Sequence, residues 1–282
     1  MKTIKFIAVA VMCLLSLSAN AQTKMRIHLE GGKQMEIPAS TITSIDWFTN
    51  ETTPDNPTTP DISPSGVQAV DLGLSVKWAN MNIGATSMDD YGDYFAWGET
   101  VGYKGGKETF NKSTYKYYMS TKAPDTTDKD GFTIPGTTTS GYTKYVTKSN
   151  ASRNGYDGFY DDKTVLDPED DAAIANWGGS WRMPTRAEQD ELRTKCAWEW
   201  KELNGKKGYK VTGPNGNFIF LPAPGFRLDS SYGNVGYSGY YWSSSLNESY
   251  SDGAFYLYFY SDYVGWGGDL RDDGHSVRAV CP

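Results

Sequence analysis

Two histidines, three cysteines and many carboxylates are the side chains of this 282-residue chain that could carry acid–base, nucleophilic or metal chemistry. His28 and His275 lie far apart, one in a short N-terminal segment and one near the C-terminus. A Ser-His-Asp constellation therefore has no good histidine. A zinc site would need ligands beyond one histidine and two cysteines that oxidation would consume. Carboxylate pairs recur at Asp161-Asp162, Asp170-Asp171 and Asp272-Asp273, and glycoside hydrolysis needs two carboxylates. Nothing singles out one pair, because solvated loops and helix ends carry such pairs routinely. Asp161, Asp162, Asp167 and Asp170 make an oxygen-rich run of the kind that suits calcium. Its spacing matches no EF-hand loop, and a solvated acidic loop explains it better. The residues point to a protein that is not an enzyme and needs no cofactor, calcium being the one ion to test.

The chemistry that remains is recognition. Nine of the 20 tyrosines fall between Tyr232 and Tyr263, mixed with Ser, Asp, Asn and Gly. Within this segment Phe255-Tyr256-Leu257-Tyr258-Phe259-Tyr260 alternates strictly. Successive side chains of a strand point to opposite faces. Phe255, Leu257 and Phe259 would face a core. Tyr256, Tyr258 and Tyr260 would pave a surface with the composition of a binding paratope. A second layer covering the tyrosines is the alternative, since tyrosine is a good strand former. The flanks favour exposure: Asn247, Ser249, Tyr250, Ser251, Asp252, Asp262, Tyr263, Asp269, Asp272 and Asp273 are expected to be too polar to bury. Tyr232, Asn234, Tyr237, Trp266 and His275 complete the candidate ligand-binding set.

The elements around this segment follow from local pattern. Lys2 and Lys5 precede an apolar run from Ile7 to Leu17 and the string Ala19-Asn20-Ala21. That is the pattern of a secretory signal cut after Ala21. A lipid anchor at Cys13 is the weaker rival, since bulky Met12 precedes it. The apolar run is too short to span a bilayer, and no other stretch is a candidate span. The formal charge of −7 becomes −9 once Lys2 and Lys5 leave with the signal. No basic patch stands out, which argues against nucleic acid as a partner. Residues 22–50 read as a small β module, with strands at Met25–Leu29 and Gln34–Ile37 and a third at Thr41–Phe48. Residues 51–66, rich in Thr, Pro and Asp, read as an extended linker. The main domain covers 67–282. Lys104–Gly158 reads as long loops and short hairpins. A short helix is expected over Pro168–Asn176, and a longer one from Pro184-Thr185 to about Cys196, opened by a Thr185–Glu188 capping box. Strands follow from Trp198, with turns at Asn204-Gly205 and Asn215-Gly216. The class is α+β, with few helices and a mainly antiparallel sheet. Cys196 and Cys281 are an even pair outside the cytoplasm and point to a disulfide, two separate buried thiols being the alternative. Such a bridge would close a loop worth roughly 4 kcal/mol by chain entropy.

Several strings recur together: Val70-Asp71-Leu72-Gly73-Leu74-Ser75-Val76-Lys77-Trp78-Ala79, Tyr94-Phe95-Ala96-Trp97-Gly98-Glu99, and Asn176-Trp177-Gly178-Gly179-Ser180-Trp181-Arg182-Met183-Pro184-Thr185. Tyr241-Trp242-Ser243-Ser244-Ser245 and Gly274-His275-Ser276-Val277-Arg278-Ala279-Val280 complete the set. Over about residues 67–282 the chain resembles the Fibrobacter succinogenes major paralogous domain of secreted proteins in gut Bacteroidota. The resemblance implies a C-type-lectin-like fold of the formylglycine-generating-enzyme type, similar to the variable proteins of diversity-generating retroelements. In those proteins the last forty to fifty residues form the ligand-binding surface, here 232–282. Adenine mutagenesis of Asn codons yields residue types found at Tyr250, Asp252, Tyr256, Tyr258, Tyr260, Asp262, Tyr263, Asp272, Asp273 and His275. Lectin-like folds also bridge a first helix to a last strand, which adds to the case for Cys196–Cys281. The expected function is binding of an extracellular protein or glycan by an exported protein, in the periplasm, on the cell surface or outside the cell. A structural or envelope-associated module without a ligand is the alternative, and a carboxylate-dependent hydrolase ranks behind both.

Overall fold

The computed structural model describes residues 24–28, 34–38 and 63–282. The expected signal (1–21), the third strand of the small module and the linker up to residue 62 lie outside the described residues. The chain divides into two compact units, Met1–Asp55 and Asn56–Pro282. In the first, β1 (Lys24–His28) pairs antiparallel with β2 (Gln34–Pro38), Lys24 lying opposite Pro38 and His28 opposite Gln34. These are the first two strands expected of the small module.

The second unit is built of antiparallel strands and few helices. Its strands are β3 (Ala69–Val70), β4 (Lys77–Ala79), β5 (Tyr118–Lys122), β6 (Thr126–Thr127), β7 (Thr133–Ile134), β8 (Thr138–Tyr142), β9 (Ala197–Leu203), β10 (Lys206–Thr212), β11 (Phe218–Pro222), β12 (Phe226–Leu228), β13 (Ser231–Gly233), β14 (Ser238–Leu246), β15 (Gly253–Tyr260), β16 (Tyr263–Leu270) and β17 (Val280–Cys281). Three α-helices accompany them: α1 (Ala151–Asn154), α2 (Ala172–Trp177) and α3 (Arg186–Lys195). Among the described residues no helix is long and apolar enough to cross a membrane.

Local chemistry sets most of these boundaries. The Thr185 hydroxyl accepts the Glu188 N–H and the Glu188 carboxylate accepts the Thr185 N–H, closing the capping box that starts α3. The helix expected over Pro168–Asn176 is split. Pro168–Asp170 forms one 3₁₀ turn, and Asp171, in extended conformation, caps α2 by accepting from the Ala173 and Ile174 N–H groups. Asn204 and Gly205, with φ of 50° and 79°, make the tight β9–β10 turn. The segment Lys104–Gly158 is mainly the expected loops and hairpins, with β5 on β8 and β6 on β7, but it also holds the short helix α1.

Two hydrophobic clusters lie on either side of the β14–β15–β16 meander. The first contains Phe95, Trp97, Trp177, Trp181, Trp242 and Ala254; the second contains Leu72, Trp78, Leu192, Leu221, Tyr241, Leu257 and Phe259. The recurring strings make this scaffold. Trp242 Nε1 donates to the Phe95 carbonyl at 2.8 Å, and Trp97 Nε1 to the Ser243 carbonyl at 2.8 Å. Phe95 and His275 exchange backbone bonds, and Val280 pairs with Trp78 and Arg182. The serines after Trp242 form an irregularity in β14, where three residues, Ser243, Ser244 and Ser245, run against the single Phe255 of β15. There Ser245 Oγ accepts the Arg186 N–H and so seats the start of α3.

The expected disulfide is not made: Cys196 and Cys281 are unbridged. Cys281 packs in the first cluster with β17 on β4, whereas Cys196 ends α3 and packs against the second. The alternative of two separate buried thiols is met for Cys281, whereas Cys196 is only half-buried.

Candidate functional site

The meander has two unlike faces, and its register fixes which side chain lies on which. In β15, Tyr256, Tyr258 and Tyr260 lie opposite Trp242, Tyr240 and Ser238 of β14. On the other side they lie opposite Gly267, Gly265 and Tyr263 of β16. Since cross-strand partners share a face, all these residues line one face, with Ala254 and Asp269 at its inner end. The opposite face carries Leu257 and Phe259, both fully buried, and Phe255, which is half-buried. The alternation therefore holds. Phe255 is left partly open because its cover is only the Trp266 ring and the Arg186 guanidinium, 4.2 Å from its centroid.

The tyrosine face is fully covered at one end only. At the Trp242–Ala254 end it packs on the first cluster; at the other end Ser238 of β14 is buried and the Tyr260–Tyr263 side is open. Exposure rises accordingly, from Trp242 (0%) and Tyr240 (8%) through half-buried Tyr256 and Tyr258 to Tyr260 (40%) and Tyr263 (46%). The rings form one connected run. Tyr240 stacks on Tyr256 at 5.6 Å and touches Tyr258 at 4.9 Å. Tyr258 meets Tyr260 at 5.8 Å and Tyr263 at 6.1 Å, and Tyr260 stacks on Tyr263 at 5.4 Å. Glycine makes this possible. A Cβ on Gly267 would lie 2.8 Å from Tyr256 Oη, and one on Gly265 would lie 2.2 Å from Tyr263 Oη. The two rings lie flat across β16 because nothing projects beneath them.

At the inner end sit the charged groups. The His275 ring, fully buried, stacks on Trp242 at 4.0 Å and lies near Tyr256 and Tyr240. Its Nε2 is 3.3 Å from Asp269 Oδ2. Burial lowers the His275 pKa against the opposing pull of Asp269, so the imidazole is neutral. Burial pushes the Asp269 carboxyl up, but His275, the Leu270 N–H and Asp273 together outweigh it and the net shift is downward. Asp273 is pushed up to about 8 by burial and by the neighbouring Asp269 and Asp272.

This yields a pH prediction. An unfolded Asp273 would lose its proton near about pH 4, whereas the folded one keeps it to about 8. Between those values the folded state binds the extra proton, so its stability falls as pH rises. Asp273→Asn is expected to gain on the order of 1–3 kcal/mol over wild type by pH 8 and nothing at about pH 4. Urea unfolding across that range checks it; a gain independent of pH would contradict the assignment.

The structure brings only part of the expected set together. Tyr256, Tyr258, Tyr260, Tyr263, Asp269 and His275 share the face, and Asn234 reaches it through a 3.1 Å bond from Nδ2 to Tyr240 Oη. Asp272 and Asp273 were expected to be too polar to bury, and His275 was placed on the surface; all three are buried. His275 is drawn in by its backbone pairing with Phe95, and Asp273 by the turn in which its N–H donates to the Leu270 carbonyl at 3.1 Å. Trp266 lies on the opposite face, sandwiching Arg186 at 3.8 Å. Asn247, Tyr250 and Asp252 belong to the β14–β15 turn, at the covered end of the meander. Asp262 is exposed in the β15–β16 turn beside Tyr260 and Tyr263, and Tyr237 is exposed just before β14. Tyr232 lines a separate cavity of about 400 Å³ with Tyr91, Tyr94 and Tyr103. Tyr240, Gly265 and Gly267 are the members that sequence reasoning missed. The alternation Tyr263-Val264-Gly265-Trp266-Gly267 was the signal for the glycines.

The acidic run is spoken for internally. The carboxylates of Asp167, Glu169 and Asp170 converge, but Lys144 Nζ sits among them at 2.7, 3.3 and 2.5 Å. Tyr117 and Tyr145 also donate to Asp170. Asp161 accepts the Tyr145 and Val146 N–H groups, and Asp162 the Lys148 N–H. The oxygens that would ligate calcium thus hold an ammonium and backbone donors instead.

No protein-family model matches the chain, and comparisons with curated proteins and with solved structures returned no match.

Proposed function

We propose that this is an exported, non-enzymatic binding protein that presents the open tyrosine face of β14–β15–β16 to an extracellular ligand. The observation that carries this is the connected run of rings from buried Trp242 to exposed Tyr260 and Tyr263, laid flat over Gly265 and Gly267. Tyrosines give large, stiff, amphipathic contact area at low entropic cost. Here the strand pairing already holds them, so little ordering remains to be done on binding. The resemblance to the Fibrobacter succinogenes major paralogous domain, with a C-type-lectin-like fold and a C-terminal binding segment, supports the same reading. So do the secretory pattern of residues 1–21 and the scarcity of histidine for catalysis. The buried positions of Asp272, Asp273 and His275 narrow the surface to Tyr258, Tyr260 and Tyr263, with Asn234, Tyr237, Asp262 and Asp269 at its edges. Replacing the three tyrosines by alanine, and measuring ligand capture beside thermal melting, tests it. Loss of capture with an intact fold supports the proposal; undiminished capture refutes it.

A further inference from the structure

Among the described residues most exposed tyrosine and tryptophan rings carry one of the protein's own cations, whereas exposed Phe132 and Phe159 carry none. Among the described residues seven tyrosine and tryptophan side chains are exposed: Tyr160, Tyr232, Tyr237, Tyr250, Tyr260, Tyr263 and Trp266. Five carry a cation over the ring: Lys148 on Tyr160 (5.8 Å), Arg227 on Tyr232 (4.2 Å), Lys207 on Tyr237 (5.9 Å), Arg153 on Tyr250 (5.0 Å) and Arg186 on Trp266 (3.8 Å). The two without one are Tyr260 and Tyr263, and the rings that continue from them, Tyr258, Tyr256 and Tyr240, have none either. The bare faces coincide with the proposed binding surface.

The charge beside that surface is negative. Asp269 shares the face at its inner end, while Asp273 beside it keeps its proton to about pH 8 and adds no charge at neutral pH. Burial raises the Tyr256 pKa first of all, and Asp269 is the neighbouring carboxylate that adds most to it. Asp262 is exposed in the turn next to Tyr260 and Tyr263. Nearby cations are engaged elsewhere: Arg271 donates to the carbonyls of Lys144 and Tyr145 and stacks on Tyr142, and Lys112 lies over Tyr118. A ring face free of cations and bordered by carboxylates attracts a positive charge by its quadrupole and by the local field. Alternate side chains of an extended peptide stand about 6.6 Å apart, close to the 5.8 Å step from Tyr258 to Tyr260.

We infer that the ligand is a basic segment of a partner protein, laying arginine or lysine side chains on Tyr258, Tyr260 and Tyr263 with Asp262 in the adjoining turn as the counter-charge. This rests on the reading of the tyrosine face as the binding surface. The test titrates the protein with the peptide Arg-Ser-Arg-Ser-Arg, its citrulline counterpart of the same shape without charge, and cellohexaose as a neutral sugar. The arginine peptide is expected to bind at least about tenfold more tightly than the citrulline peptide. A variant carrying Tyr258→Leu, Tyr260→Leu and Tyr263→Leu keeps the protein's charge and the apolar cover, and should erase that difference. Equal binding of the two peptides would overturn the inference. So would arginine-peptide binding that the leucine variant retains, which is diffuse attraction to an acidic chain. If cellohexaose binds wild type and not the leucine variant while the arginine peptide does not bind, the cationic ligand is refuted and the binding face stands. If no probe depends on the three tyrosines, the inference falls together with that face.

Discussion

Arg278→Ala is expected to destabilise the second unit by about 3–5 kcal/mol. Arg278 is fully buried, and its guanidinium joins three separate parts of the chain. Nε donates to Asn82 Oδ1 at 2.8 Å, Nη1 to the Ala79 carbonyl at 3.0 Å and Nη2 to the Phe220 carbonyl at 2.9 Å. Removing it leaves all three acceptors dry and opens a cavity between β4, β11 and the C-terminal segment. Each stranded acceptor costs about 1–3 kcal/mol, and relaxation around the cavity returns part of the sum. Arg278→Lys keeps the charge but cannot span three acceptors in a plane, so it should recover less than half. Denaturant unfolding followed by tryptophan fluorescence measures both. A loss below about 1 kcal/mol for alanine would mean that water or a rearranged side chain satisfies those carbonyls.

The second large effect falls on binding. Replacing Tyr258, Tyr260 and Tyr263 together by alanine should weaken ligand binding at least about a hundredfold, since aromatic anchors often contribute over about 1 kcal/mol each. Stability should fall much less, because two of the rings are exposed and surface changes usually stay within about 0.5 kcal/mol each. Tyr256 is left out of the set. It is half-buried against the first core cluster, and its removal would disturb His275 and Trp242. Trp177→Ala should behave in reverse. Trp177 is buried edge-to-face against Trp181 at 5.4 Å, so truncation should cost about 3–5 kcal/mol of stability. Its effect on binding should extend only to the unfolded fraction. If the tyrosine variant binds normally, or melts as low as the tryptophan variant, those rings are structural.

Features encoded within a few residues were legible in the sequence. The Thr185–Glu188 box, the Asn204-Gly205 turn and the alternation of Phe255–Tyr260 need only neighbours, and each is where its pattern puts it. Features set by register or by distant pairing were not. Trp266 looked like one more paratope aromatic. The turn that places Tyr263 opposite Tyr260 sends every even residue of β16 to the Leu257 side. Polarity suggested that Asp272, Asp273 and His275 were exposed. Their burial follows from pairings with residues far away in the chain, His275 with Phe95 and the adjoining Gly274 with Arg227, that composition cannot show. The cysteine pair misled for a similar reason. An even count says that a bridge could form, whereas the packing of Cys196 and Cys281 into two different clusters decides that it does not.

The most direct test of the central claim is nuclear magnetic resonance of the protein with its tyrosine rings isotopically labelled, titrated with soluble peptides and oligosaccharides. Rings at a binding surface change environment when a ligand lands on them, and rings in the core do not. The account predicts that the first ligand to bind shifts Tyr258, Tyr260 and Tyr263 and leaves buried Tyr142 and Tyr145 unmoved. A ligand that instead shifts only Tyr91, Tyr103 and Tyr232, around the separate cavity, would contradict it.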